Sequence, residues 1–267
     1  MSILEVRNLN IDYISVKGVD YSISEINFKL EESKAIGIIG ESGCGKSTIA
    51  KCILNILPQN VYTQGEILLD GVNILNISEK EMEHIRGSQI SMIFQEPMQA
   101  LNPIRRIKNQ FYDLLYKYRK INGKVKTDKL IVSRLEDVNL KDIDKILNSY
   151  PFELSGGMAQ RVMIAMALIK NPRVLIADEP TSSIDAINRK EILNEIKNLK
   201  DLSVVIISHN LSEVYDMCDE ILVMKDGAVV EQGYTKDIFQ NPNHEYTKLL
   251  LQNEGISKRS YEKRVSC

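Results

Sequence analysis

Apolar and polar positions alternate through the first third of the chain. In ILEVRNLNIDY (3–13) and YSISEINFKLE (21–31) the period is close to two, as in antiparallel strands with one face on a core and the other in water. KAIGIIG (34–40) breaks that pattern. It is a short, continuous apolar run, which predicts a parallel strand buried on both faces. A glycine-rich turn follows, and KSTIAKCILNIL (46–57) takes up helical spacing, so this segment reads as strand, loop, helix. GEILLDG (65–71) is a further strand between turn glycines.

From Pro103 to Ser149 the strand-like runs vanish. NQFYDLLYKYRK (109–120) and KLIVSRLEDVNL (129–140) place apolar residues at helical spacing, which predicts a helical insertion. The last third alternates again, with RVLIADE (173–179), AINRKEILNEIKNLK (186–200), SVVIISH (203–209) and SEVYDMC (212–218). DEILVMKDGAVVEQG (219–233) reads as a hairpin turning at Asp226-Gly227. The pattern predicts an α/β core with a β-rich entry and a helical insert.

Composition narrows the class. At 267 residues the chain is long enough for one large domain with a real core. A net charge of −2 offers no global attraction to nucleic acid. Only SKRSYEKRVSC (257–267) is basic, and it reads as a solvated tail. Cys44, Cys52, Cys218 and Cys267 form no paired spacing, so no disulfide framework or metal cluster is signalled and a reducing cytoplasm suits them. There is no run of apolar residues long enough to span a bilayer, nor a signal-peptide layout at MSILEVRNLN. A membrane role is therefore expected to come through partners.

Short sequence patterns carry the chemistry. Gly40, Glu41, Ser42, Gly43, Cys44, Gly45, Lys46 and Ser47 fit the phosphate-binding pattern G-x-x-x-x-G-K-[ST]. In such a loop the backbone N–H groups and the helix start attract an anion. Lys46 is expected at the β- and γ-phosphates, Ser47 on Mg²⁺ and Thr48 near the α-phosphate. RVLIADE ends an apolar strand in two carboxylates: Asp178 supports the metal, directly or through water, and Glu179 activates the attacking water. Gln95, closing SMIF, can touch Mg²⁺ and that water without adding charge. His209, closing SVVIIS, can contact the γ-phosphate. Tyr13 is the candidate to stack on adenine, with Tyr21 as its rival. Cys44 lies inside the loop, so a bulky thiol reagent is expected to inhibit.

A second phosphate-binding end needs another explanation. LSGGMAQR (154–161) places a serine and two glycines at a helix start, far from the lysine-bearing loop. GESGCGKST, Gln95, LSGGMAQR, VLIADEP, SSID and His209 follow one another in the order found in ATP-binding-cassette (ABC) ATPases, and over residues 1–250 the chain resembles that family. The resemblance implies an α/β P-loop cassette over 1–252, with an antiparallel β subdomain, a helical subdomain at about 100–165 and a basic tail over 253–267. It also implies head-to-tail pairing, in which Ser155, Gly156, Gly157 and Gln160 bind ATP held by a partner cassette. Asp185 falls at the D-loop position between the two sites. Cofactors are then ATP and Mg²⁺.

MIFQEPMQALNP, YPFELSGGMAQRV and NPNHEYTKLLL resemble more narrowly the oligopeptide, dipeptide and nickel branch of ABC importers. Glu245 stands where that branch usually has proline, and Ala159 where the signature usually has arginine. The branch implies a second cassette as heterodimer partner, two transmembrane permease subunits and an extracellular solute-binding protein, with this chain peripheral on the cytoplasmic face of a bacterial membrane. The clustered cysteines of many members are missing here. The shorter length looks more like members that import nickel or metal chelates, with peptide import as the alternative. A soluble, non-transport ABC ATPase is the rival from another class. Against it, the stretch between Gln95 and the signature is too short for the coiled coil of DNA-repair types, and ribosomal types carry two cassettes.

Overall fold

Among the described residues run ten strands, β1 Ser2–Ser15, β2 Gly18–Glu31, β3 Ala35–Gly40, β4 Val61–Leu69, β5 Val72–Asn73, β6 Ile90–Ile93, β7 Val174–Asp178, β8 Ser203–Ile207, β9 Glu220–Lys225 and β10 Ala228–Tyr234. The computed structural model describes residues 1–16, 18–181, 186–199 and 201–253. The chain forms two compact units, Met1–Glu83 with the segment from Asp201 onward, and His84–Lys200.

In the first unit β2, β1, β4 and β5 form an antiparallel sheet in that order. The inward residues of β1 change parity, because Leu4 and Val6 are buried and so are Leu9 and Ile11. No strict alternation contains both pairs. The register shifts between Val6 and Leu9, where Asn8 adopts a φ of 45°. β2 shifts likewise between Ile23 and Ile26, at Glu25 with φ 55°. The two irregularities are tied together: the Asn8 N–H donates to Asn27 Oδ1 at 2.8 Å, and the Glu25 N–H to Asn10 Oδ1 at 3.0 Å. Each bulge turns its strand so that the apolar face stays on the core.

β3 is the buried strand that its apolar run predicts. It pairs in parallel with β8 and β9, and β10 returns antiparallel on β9 through the Asp226-Gly227 turn. The helix Lys46–Ile53 leaves β3 through the glycine-rich loop and buries Ile49, Ala50, Cys52 and Ile53. The helices Leu211–Met217, Thr235–Gln240 and Glu245–Asn253 complete this unit.

In the second unit β6 and β7 pair in parallel, Ile90 opposite Val174 and Ile93 opposite Ala177. The expected helical insert is present as Pro97–Ala100, Ile107–Leu114, Tyr116–Asp137 and Ile143–Asn148. Ile107, Phe111, Ile131, Leu135 and Ile146 are buried within it, each by about 2 kcal/mol of removed apolar surface. Gly123, with φ 77° and ψ 171°, interrupts the long helix, a conformation closed to residues with a Cβ. The helix Glu79–Ile85 begins in the first unit, where its start carries the S-x-x-E signal: the Ser78 N–H donates to Glu81 Oε2 at 2.8 Å, and the Glu81 N–H to Ser78 Oγ at 3.3 Å. No described helix is long and apolar enough to cross a membrane.

Candidate active site

The glycine-rich loop is shaped by contacts that exclude side chains. Gly40 has φ 151°, and a Cβ there would lie 2.2 Å from the Met224 carbonyl oxygen. Gly45 has φ 102°, and its Cβ would meet Ile23 Cδ1 at 2.5 Å. Only glycine fits either place. Glu41, Ser42 and Gly43 are exposed, while Ser47 and Thr48 are half-buried at the helix start. Lys46 is buried, and its ammonium donates to the carbonyls of Gly40 at 2.9 Å and Glu41 at 2.8 Å. Its contact with Cys44 Sγ is 3.8 Å long, a weak acceptor. Burial of Cys44 raises its thiol pKa, and the neighbouring Lys46 opposes that only in part.

Tyr13 is half-buried, and its hydroxyl and Thr48 Oγ1 share a hydrogen bond of 3.1 Å. Tyr21 stands opposite it in register, with ring centroids 6.4 Å apart. Burial raises the Tyr21 pKa, and its hydroxyl is buried without a hydrogen-bond partner. Of the two rings, Tyr13 is the one tied to the phosphate-binding helix.

His209 is exposed beyond the end of β8, and the turn that carries it is well braced. Ser208 Oγ donates to Glu213 Oε2 at 3.0 Å and accepts from the Asn210 N–H at 3.0 Å. Asn210 caps the helix Leu211–Met217, accepting from the Ser212 and Glu213 N–H groups. The sequence reading passed over these three residues, though Asn210 followed by Glu213 is a helix-start signal.

In the second unit Asp178 is buried at the end of β7, and Glu179 beyond it has a φ of 46°. A left-handed glutamate is strained backbone of the kind that collects at functional sites. Gln95 Nε2 donates to Glu179 Oε2 at 2.8 Å, so two predicted residues from separate strand ends meet here. Ser155 caps the helix Gly156–Leu168, its Oγ accepting from the Met158 N–H at 3.3 Å. Ser155 and Gly156 are exposed and Gly157 is half-buried, at the turn whose N–H groups have no intrahelical acceptor. Gln160 does not join them. Its side chain is buried, and Nε2 donates to the Pro180 carbonyl at 2.6 Å, because the helix turns inward after its first turn. Arg161 is buried as well. It donates to the Val138 carbonyl at 2.8 Å, to Glu195 Oε1 at 2.5 Å and to Glu191 Oε2 at 2.9 Å. Asp185 and residues 254–267 lie outside the described residues.

Comparison with known proteins settles the family. The ABC transporter family model matches residues 23–182. The chain belongs to the ABC transporter ATPases. The cassette is 39% identical to the oligopeptide transport ATP-binding protein OppD of Bacillus subtilis (strain 168), across 99% of this chain and 75% of the relative. It is 41% identical to the dipeptide transport ATP-binding protein DppD of the same organism, across 93% and 76%. The metal-staphylopine import system ATP-binding protein CntD of Staphylococcus aureus (strain NCTC 8325 / PS 47) is 37% identical, across 86% and 85%. Among solved structures, the dimeric bacterial ABC transporter cassette MJ0796 superposes with a TM-score of 0.77 at 26% identity, covering 87% of this chain and 98% of that one. An ADP- and phosphate-bound form of MJ0796 has the same TM-score at 25% identity and the same coverage. The cassette is thus an ATP-binding, ATP-hydrolysing subunit of an importer that associates peripherally with the membrane.

Proposed function

We propose that this cassette powers the import of peptides. The observation that carries its catalytic role is the Gln95–Glu179 hydrogen bond beyond the buried end of β7, where a strained glutamate is held beside a neutral amide. In this reading Glu179 takes a proton from water as the oxygen attacks the γ-phosphorus, and the bond to the ADP oxygen breaks. Lys46 keeps its two carbonyl partners and exchanges its weak sulfur contact for phosphate oxygen. His209 senses the γ-phosphate, and Tyr13 stacks on adenine. Ser47, Asp178 and Gln95 offer oxygen donors, the chemistry that suits Mg²⁺. Bound there, the ion neutralises charge on the phosphates.

Ser155, Gly156 and Gly157 reach ATP held by a second, non-identical cassette, where helix-start N–H groups stabilise developing charge. The helical insert grips the permease pair, which converts closing and opening of the cassettes into alternating access. A solute-binding protein outside the cell delivers the cargo. Peptide cargo is supported by the oligopeptide and dipeptide relatives. Metal-chelate cargo is a second reading, supported by the staphylopine relative.

The test is the Glu179→Gln variant paired with a second cassette whose own water-activating glutamate is changed to glutamine. ATP hydrolysis is expected to fall by about 10³-fold or more, with ATP still bound. Turnover at the wild-type rate would overturn the assignment. Uptake of labelled dipeptide and of labelled metal with its chelator, in cells carrying that variant, separates the two cargo readings.

A further inference from the structure

The segment NPNHEYT, Asn241–Thr247, lies far along the chain from the phosphate-binding loop and takes no part in the chemistry above. Its polar groups nevertheless form one connected set. The Asn243 N–H donates to Glu231 Oε1 at 2.8 Å and the His244 N–H to Glu231 Oε2 at 3.1 Å, so one carboxylate on β10 fastens the turn. His244 Nδ1 then accepts from the Tyr246 N–H at 3.1 Å, at the first turn of the helix Glu245–Asn253, where such groups lack intrahelical acceptors. This fixes the start of the helix and aims Tyr246. The ring is 6% exposed, with Lys225 Nζ 5.3 Å from its centroid. Its hydroxyl accepts from the Glu41 N–H at 3.0 Å, and burial raises its pKa, so it stays a neutral phenol.

Glu41 is the second residue of the loop, and its carbonyl is one of the two that hold the Lys46 ammonium. The other belongs to Gly40, the place where no Cβ fits. Tyr246 therefore orients one side of the peptide group preceding Glu41, while Lys46 is bound by the carbonyls on either side of that residue. We propose that Tyr246 is a positioning residue for nucleotide: with Glu231 and His244 it forms a strut that holds the Gly40–Glu41 turn, and with it Lys46, in the shape that receives the triphosphate. The inference rests on reading that loop as the ATP site of this chain.

A hydroxyl that touches no substrate should act on affinity rather than on the chemical step. Tyr246→Phe removes one oxygen and keeps the packed ring. ATP titrated into the full chain by calorimetry is expected to bind about 3- to 10-fold more weakly in this variant, the range set by one lost hydrogen bond. KM for ATP should rise by the same factor with kcat little changed. Glu231→Ala, which frees the turn without touching Tyr246, should shift affinity the same way by about 2- to 3-fold. Wild-type affinity in Tyr246→Phe, with loss only in Tyr246→Leu, would mean that the ring merely packs and would overturn the proposal. Lys46→Ala serves as the control. If it loses ATP while Tyr246→Phe does not, the strut alone fails; if Lys46→Ala binds like wild type, the reading of the loop fails and takes the strut with it.

Discussion

Cys44 illustrates how neighbours decide the chemistry of a side chain. Its place inside the phosphate-binding loop suggests a reactive thiol, and the adjacent lysine would favour the thiolate. The structure buries it to 5% exposure, and burial outweighs the lysine and raises its pKa. Since the thiolate is the nucleophile, we now expect iodoacetamide at neutral pH to alkylate native Cys44 at least about tenfold more slowly than in the denatured chain. Equal rates, read by mass spectrometry of the loop peptide, would refute this. Glu179 shows the converse, a solvent-reachable carboxylate held at a φ of 46° by its surroundings, where an unconstrained strand end would relax.

At the scale of the element, the signature helix has two faces along its length. Its first turn is polar, exposed and capped by Ser155. From Ala159 onward nearly every residue to Ile169 is buried. That change explains why Gln160 leaves the site it was expected to join, and why Arg161 becomes structural. Arg161 is a buried cation with a carbonyl and two glutamates, of which Glu195 is also largely buried. Removing the arginine would leave Glu195 without its counter-charge, a loss of about 3 kcal/mol. Arg161→Ala should therefore lower the urea midpoint without changing the slope of the transition. An unaltered midpoint would show that Glu195, which also accepts from Asn139 Nδ2 at 2.6 Å, does not depend on the arginine.

The whole molecule works, in our reading, as half of a pair, and the exposed signature end is the half-site it offers. Gly157→Asp separates the two roles. An acid in the first turn favours the helix itself but repels a partner's γ-phosphate. With Mg·ATP and the second cassette carrying its own water-activating glutamate as glutamine, the wild-type surface should form a stable dimer in size-exclusion chromatography, and Gly157→Asp should not. This chain's own ATP affinity should be unchanged by Gly157→Asp. A drop in that affinity would place Gly157 at the chain's own nucleotide and end the trans reading.

Sequence alone determined the fold class, the family and the position of each short motif, because a glycine-rich loop, an apolar strand ending in acids or a Ser-Gly-Gly helix start is a local chemical requirement. Tertiary structure alone decided what happened between motifs. The strand parity changes at Asn8 and Glu25, the inward turn of Gln160, the ion pairs of Arg161 and the reach of Tyr246 to Glu41 each join residues distant in the chain or set by a neighbouring element. Such contacts leave no periodic trace in the sequence. They arise because each buried polar group must find a partner wherever packing has brought one within hydrogen-bond reach.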